Sequence, residues 1–564
     1  MKTLLQNGAI VNVFTDSIQK ADVLIDGEKI VGVGSYSAAD VDRVVDLSGK
    51  YICPGFIDGH IHIESTMLTP TELARVCLAH GTTAIVADPH EIANVCGTDG
   101  ISYMLAASRG LPLHVYFCLP SCVPATPFDE AGAVLTAEDL RPFYADSRVV
   151  GLAEMMNYPG VLGGDPEVLA KIEEALARGK KVDGHAPMLS GASLDRYVAA
   201  GVESDHECAT AEEAKEKIEK GQWVMIRQGT AARNLEALLP LFSSPYDRRC
   251  LLVTDDRHPA DLLREGHIDH IVRLAVKAGK SVFTAIRMAS LQAAQRFGLS
   301  HVGAVAPGYR ADLLVLEDLE TVAIRDVYTA GEKRVANGET LPITVPSVSP
   351  SLAKAVFQSF RVAPLTAADF KIEPEGEKCR VIGVMPGELI TECLEESVAW
   401  DENNGIDTER DLLKLAVIER HKGTGHRGLG FIKGLGMKRG AIASSVSHDS
   451  HNLIVVGTND ADMAVAANHV RERGGNVVVL DGKIIAEMSL PVAGLMSEKT
   501  AAEVAAENES VREAVRSLGT VEGIEPFMNM AFVSLTVIPK LKMTTQGLVD
   551  VIKQERVSLF LSQR

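Results

Sequence analysis

Six residues of metal-ligating type recur through the first half of the chain, each at the end of a short apolar run. They are His60 and His62 in GFIDGHIHIES, Glu154 in VVGLAEM, His185 after KKVDG, His206 in ESDHE and Asp255 after LLVT. Side chains at i and i+2 of a strand point the same way, so the HxH pair can reach one cation. A carboxylate can bridge two cations, and the remaining histidines fill their other positions. Each residue alone is unremarkable: a strand-end His is usually a hydrogen-bonded core residue, and a strand-end Glu a solvated one. The order HxH, carboxylate, His, His, Asp at successive strand ends points to a divalent metal centre. Such a centre makes hydroxide available near neutral pH.

The elements that must carry these residues are legible from periodicity. TTAIVADP, LHVYFCLP, VVGLAEM, KKVDGHAP, ESDHE, WVMIRQG and LLVTDD are short, apolar and strand-like. Between them TPTELARVCLAHG, DPEVLAKIEEALARGK, LDRYVAAG and AEEAKEKIEKG carry helical spacing and end near glycine. Alternation of strand and helix implies a parallel sheet, and about 250 residues with eight such strands suit a closed barrel. The expected fold class is α/β, a (β/α)8 TIM-like barrel over 52–301. Residues 1–51 and 302–345 are rich in β-branched runs such as DVLIDG, KIVGVG and ADLLVLED, and are expected to form one small β-sandwich from both flanks. PITVPSVSPS then reads as a linker into a C-terminal α+β domain, 346–564.

Composition narrows the function. The chain has 564 residues and a formal net charge of −19, which argues against a nucleic-acid binder. Nine scattered cysteines without a CxxC pair read as reduced thiols of a cytoplasmic protein. MKTLLQNGAIVNVF is too weakly apolar for a signal peptide, and no run is long enough for a membrane span. No internal repeat is present.

Other polar clusters have less specific readings. Asp88–Pro89–His90–Glu91 ends a strand, and is a hydrogen-bonded support, an extra metal site, a substrate contact or plain loop. His448, Asp449 and His451 in SVSHDSHN either contact substrate or form a satisfied network within the C-terminal domain. Gly428, Gly430, Gly434, Gly436 and Gly440 fit neither GxGxxG nor GxxxxGK[ST] and read as turns in a β-rich segment. His267 and His270 stand at helical spacing away from the strand ends, and are expected at the surface.

In its ligand order the chain resembles the amidohydrolase superfamily with a two-metal centre. GFIDGHIH and GAVAPGYRADLLVL are similar to that superfamily's entry into the barrel and its return into the β domain. HIHIESTM, HGTTAIVADPHEIANVCG and GMKRGAIASSVSHDSHNLIVVG further resemble the adenine deaminase family, over nearly the whole chain. This resemblance implies that His60 and His62 bind the more buried metal, and that Glu154 bridges both metals where many relatives carry a carboxylated Lys. It implies that His185 and His206 bind the second metal, and that Asp255 touches metal and attacking water. It also implies two divalent ions, Mn or Fe with Zn possible, and hydrolytic deamination of free adenine by a metal-bound hydroxide, as in purine salvage. A homodimer is the default assembly. Asp255 would take the water proton and pass it to the leaving nitrogen. Glu207 or Glu64 would protonate ring N1, and Glu207 could instead orient a ligand histidine. The HxE and PCxxC pattern of zinc nucleobase deaminases is absent. The open alternatives are another nucleobase or cyclic amide as substrate, and a non-catalytic barrel that would have lost ligands.

Overall fold

The computed structural model describes residues 1–230 and 232–561. It divides into two compact units, one of residues 1–89, 104–121 and 136–347, the other of 90–103, 122–135 and 348–564. The segments 90–103 and 122–135, expected within the barrel, thus pack with the C-terminal residues.

The first unit opens with a β-sandwich. Lys2–Gln6, Asp22–Asp26, Lys29–Gly34 and Arg43–Asp46 form one sheet. Ala9–Asn12, Ser17–Lys20 and Tyr51–Pro54 join Leu313–Leu316, Ile324–Thr329, Glu332–Ala336 and Glu339–Thr340 in a second. Leu5, Ile25, Ile52, Leu313 and Tyr328 pack between the sheets. Both flanks of the chain therefore build one core, because neither has enough strands to bury an apolar face alone.

Eight parallel strands follow: β1 Phe56–Ile61, β2 Thr82–Ala87, β3 His114–Leu119, β4 Val149–Met155, β5 Lys181–Gly184, β6 Ser204–Asp205, β7 Trp223–Arg227 and β8 Cys250–Val253. Strands β1 to β5 form one sheet and β6 to β8 another. Glu203 N–H donates to Val182 O at 3.0 Å, linking β5 to β6, and Ile61 pairs in parallel with Asp255 to bring β8 back to β1. The strands are nearly continuous apolar runs, as burial on both faces demands. Ile57, Ala84, Val86, Ala153, Met225, Leu251 and Val253 are buried together. Asp165 and Thr210 start the helices Pro166–Leu176 and Ala211–Glu219 by accepting from backbone N–H groups of the first turn.

The second unit is built on an eight-stranded mixed sheet with Leu413–Ile418 and Leu453–Gly457 at its centre. The helix Asp460–Arg473 lays Met463, Ala466, Ala467 and Val470 on it, at the i, i+3, i+4, i+7 spacing of a buried stripe. The glycine-dense stretch is a strand, Arg427–Lys433, followed by turns in which Gly434, Gly436 and Gly440 have φ of 110°, 77° and 76°. Gly428 serves close approach instead: a Cβ there would lie 1.9 Å from the carbonyl oxygen of Thr544. Gly428→Ala must displace backbone and is expected to cost about 1–3 kcal/mol. Thermal unfolding should show a fall of several degrees in Tm; an unchanged Tm would refute the contact. Among the described residues no helix is long and apolar enough to cross a membrane.

Candidate metal centre

Glu154, near the end of β4, is the hub of a buried cluster in the first unit. Its Oε1 lies 3.2 Å from His62 Nε2 and 3.9 Å from His60 Nε2. Its Oε2 lies 2.7 Å from His185 Nδ1 and 3.2 Å from His206 Nε2. One oxygen thus faces the β1 pair and the other faces the histidines that follow β5 and β6. Asp255 Oδ1 adds contacts of 3.1 Å to His62 Nε2 and 3.4 Å to His60 Nε2. Burial pushes Glu154 up, but hydrogen bonds with His185, His206 and His62 outweigh it and hold the carboxyl well below its usual range.

Backbone geometry sets this convergence. Asp255 has φ of 61°, in the left-handed region that a non-glycine residue occupies at a cost of roughly 1–3 kcal/mol. Its N–H donates to His60 O at 3.0 Å and its carbonyl accepts from His62 N–H at 3.3 Å, which turns its carboxylate onto both imidazoles. Buried carboxylates brace the strand ends from behind. Asp58 accepts from the backbone N–H of His60 and of Thr254, both at 3.2 Å. Asp205 accepts from the N–H of Ala186 at 2.9 Å and of Glu207 at 2.7 Å. His62 Nδ1 donates to Asp88 O at 3.2 Å, leaving the Nε2 lone pair aimed into the cluster.

His267 departs from expectation. It is fully buried rather than exposed, with Nε2 3.1 Å from Asp58 Oδ2 and Nδ1 2.8 Å from Thr82 Oγ1. A buried Asp58 needs a counter-group, and His267, just before the helix Ile268–Lys277, turns inward to supply it. His270 is half-buried, 3.6 Å from Glu265.

Arg227 was not anticipated, although it is the polar end of β7 and the strand-end rule selects it. Its Nη1 bonds Asp255 Oδ2 at 2.8 Å and also Glu207 Oε1, while Nη2 donates to Glu207 Oε2 at 3.0 Å. Burial raises Glu207, but Arg227 and His185 override it and keep the carboxyl ionised. Glu207 Oε1 lies 3.4 Å from His206 Nε2 and 3.7 Å from His185 Nδ1. A hydrogen bond to a charged group is worth about 1.5–3 kcal/mol, so Arg227→Gln is expected to lower kcat by roughly 10- to 100-fold. Metal content should be unchanged. Wild-type turnover in the variant would remove Arg227 from the site.

Glu64 is buried in the short 3-10 turn after β1. The second unit holds the other predicted residues. Glu91 lies 2.8 Å from His448 Nδ1, bonds His451 Nε2, and sits 3.6 Å from His90 Nε2. His448 stacks on Phe532, with ring centroids 4.5 Å apart, and Asp449 is buried beside it. His451 Nδ1 accepts from Ser447 N–H at 3.2 Å, so Nε2 carries the proton and is spent on Glu91. That tautomer makes a polar network of this trio and not a cation cage.

The first-unit cluster fits a cation differently. His60 Nε2 is buried without a hydrogen-bond partner among the described residues, pointing toward the carboxylates. The groups His60–His62–Asp255, His60–Glu154–His206 and His185–His206–Glu207 each bring three donor atoms within 4.8 Å of one another. Four imidazoles around shared carboxylates suit first-row divalent metals.

The chain matches the description "Amidohydrolase family" over residues 51–337 and "Adenine deaminase C-terminal domain" over 388–555. It is 47% identical over 559 residues to an adenine deaminase of Desulfatibacillum aliphaticivorans, covering 99% of this chain and 97% of that one. It is 47% identical over 550 residues to adenine deaminase 2 of Carboxydothermus hydrogenoformans, covering 97% of this chain and 95% of that one. The adenine deaminase of Geobacillus kaustophilus is 45% identical over 555 residues, covering 98% of this chain and 95% of that one.

Proposed function

We infer the reaction from one premise: this chain belongs to the amidohydrolase family and, within it, to the adenine deaminases. It is a hydrolase that converts adenine and water to hypoxanthine and ammonia. The observation that carries this reading to the level of residues is the division of Glu154 between two histidine pairs.

His60 and His62, with Glu154 and Asp255, would hold one cation, and His185 and His206, with Glu154, would hold the other. The side chains of His60 and His62 are 2% and 4% exposed; in the second pair His206 is 1% and His185 20% exposed, so His185 alone makes the second position the more open. Mixed imidazole and carboxylate donors suit manganese, iron or zinc, and the family resemblance favours manganese or iron. Divalent ions bound there supply a hydroxide nucleophile near neutral pH.

The protein's own groups do the rest. Asp255, held by Arg227 on Oδ2 and facing the histidines with Oδ1, accepts the proton of the attacking water and returns it to the departing amine. Glu207 is the preferred partner of ring N1 over Glu64, because its carboxylate lies among the histidines and is fixed by Arg227. Held ionised by Arg227 at rest, it takes a proton from bulk water, passes it to N1, and receives the proton of the C6 hydroxyl as the carbonyl forms. Nine cysteines as free thiols agree with a reducing cytoplasm. A homodimer remains the expected assembly.

The test is product analysis of the purified, manganese-loaded protein with free adenine. Hypoxanthine and ammonia should form in equal amounts, cease after chelation and return with metal. Metal-loaded protein inert toward adenine but active on another nucleobase or a cyclic amide would overturn the substrate assignment.

A further inference from the structure

Three arginines are buried almost completely: Arg257, Arg296 and Arg420. Two have a carboxylate in contact. Arg257 Nη2 is 2.8 Å from Glu265 Oε2, and Arg296 Nη2 is 2.6 Å from Asp183 Oδ1. Among the described residues Arg420 has none. It stacks on Phe360 and spends its donors on the carbonyls of His451 and Ala493 and, at 3.5 Å, on the hydroxyl of Ser359. The neighbouring Glu419 is already engaged by the backbone N–H groups of His421, Lys422 and Thr424. A guanidinium does not give up its proton, and a buried charge without a counter-charge is costly. Burial accordingly pushes Arg420 below the usual guanidinium range.

Ser359 lines a cavity of about 580 Å³ that lies entirely within the second unit. Lys354, Arg361 and Lys422 line it too, all exposed and none in an ion pair among the described residues. Asp99 is the one acidic lining residue. Cys96, also on the wall, feels both Arg420 and Arg361. Three cations against one carboxylate on the wall, with Arg420 buried behind Ser359, in a chain of net charge −19, make this concavity the reverse of its surroundings. Its volume falls within the range of small-molecule sites.

We propose that this cavity is a binding site for a small phosphate monoester, whose dianion supplies counter-charge to Arg361, Lys354 and Lys422 on the wall and to Arg420 buried behind Ser359. A monocarboxylate would balance the excess less well, and phosphate oxygens match the donors of arginine and lysine. The site is separate from the deamination chemistry, since none of its lining residues belongs to the Glu154 cluster.

The test uses the metal-loaded full chain and titration calorimetry, with ribose 5-phosphate, inorganic phosphate and ribose as probes. None carries a base that could imitate adenine. Ribose 5-phosphate should bind saturably with one site per chain, and ribose should not bind. Affinity should fall at least tenfold in Arg361→Ala/Lys422→Ala, whose substituted side chains are exposed and whose adenine turnover should stay normal. Equal affinity for inorganic phosphate would assign phosphate alone as the recognised group, and tighter ribose 5-phosphate the whole monoester. No saturable binding, or binding undiminished in the double variant, as phosphate held by the metal centre would give, overturns the proposal.

Discussion

Asp255→Asn is expected to lower kcat for adenine by about 1,000-fold while both metals stay bound. The carboxylate is held by Arg227 on Oδ2 and faces His60 and His62 with Oδ1, the orientation the proposed proton transfer requires. An amide of the same shape keeps an oxygen for metal or histidine but cannot accept and return a proton. General acid–base catalysis contributes typically 10²- to 10⁴-fold, and the expected loss lies in that range. The left-handed backbone at Asp255 is available to asparagine, so the fold should survive. The measurement is kcat and KM beside metal content by elemental analysis. A variant with two metals and near-normal kcat would remove Asp255 from proton transfer. Loss of metal together with activity would show that its main role is ligation.

Glu154→Ala is expected to abolish the paired centre: metal content falling from two per chain to below one, with kcat reduced by more than 1,000-fold. All four histidines of the cluster contact Glu154, whereas Asp255 reaches only His60 and His62 and Glu207 only His185 and His206. Removing it would leave four imidazoles converging without the anion that, in the proposed centre, offsets the repulsion of two cations. Glu154→Asp separates size from charge: the shorter carboxylate should keep some metal affinity and lose most of the turnover. Full metal occupancy in Glu154→Ala would refute a bridging role.

Much of this site was legible before any coordinates. An i, i+2 histidine pair, a carboxylate and later histidines at the ends of apolar runs identify a metal site because barrel strands present their last residues to a common mouth. Arg227 is not marked by its local sequence, because an arginine ending a strand usually reaches solvent; its two carboxylate partners lie 20 and 28 residues away in sequence. His267 was misplaced for a related reason. Beside an amphipathic helix an isolated histidine reads as exposed, and only the buried Asp58, more than two hundred residues earlier, draws it inward. The grouping of 90–103 and 122–135 with the C-terminal unit was equally hidden, since their local patterns are those of ordinary barrel segments.

By itself the sequence determined the alternation of strand and helix, the sandwich assembled from both ends, the candidate donor residues and the family the chain belongs to. These follow from periodicity and side-chain chemistry, which are properties of neighbours along the chain. The tertiary structure alone decided which oxygen of Glu154 faces which histidine pair, that Asp255 adopts φ of 61°, that Arg227 ties Asp255 to Glu207, and that Arg420 is buried beside a basic cavity without a carboxylate. Those features depend on distances between residues far apart in sequence, and such distances exist only once burial has closed the barrel and the sheet around them.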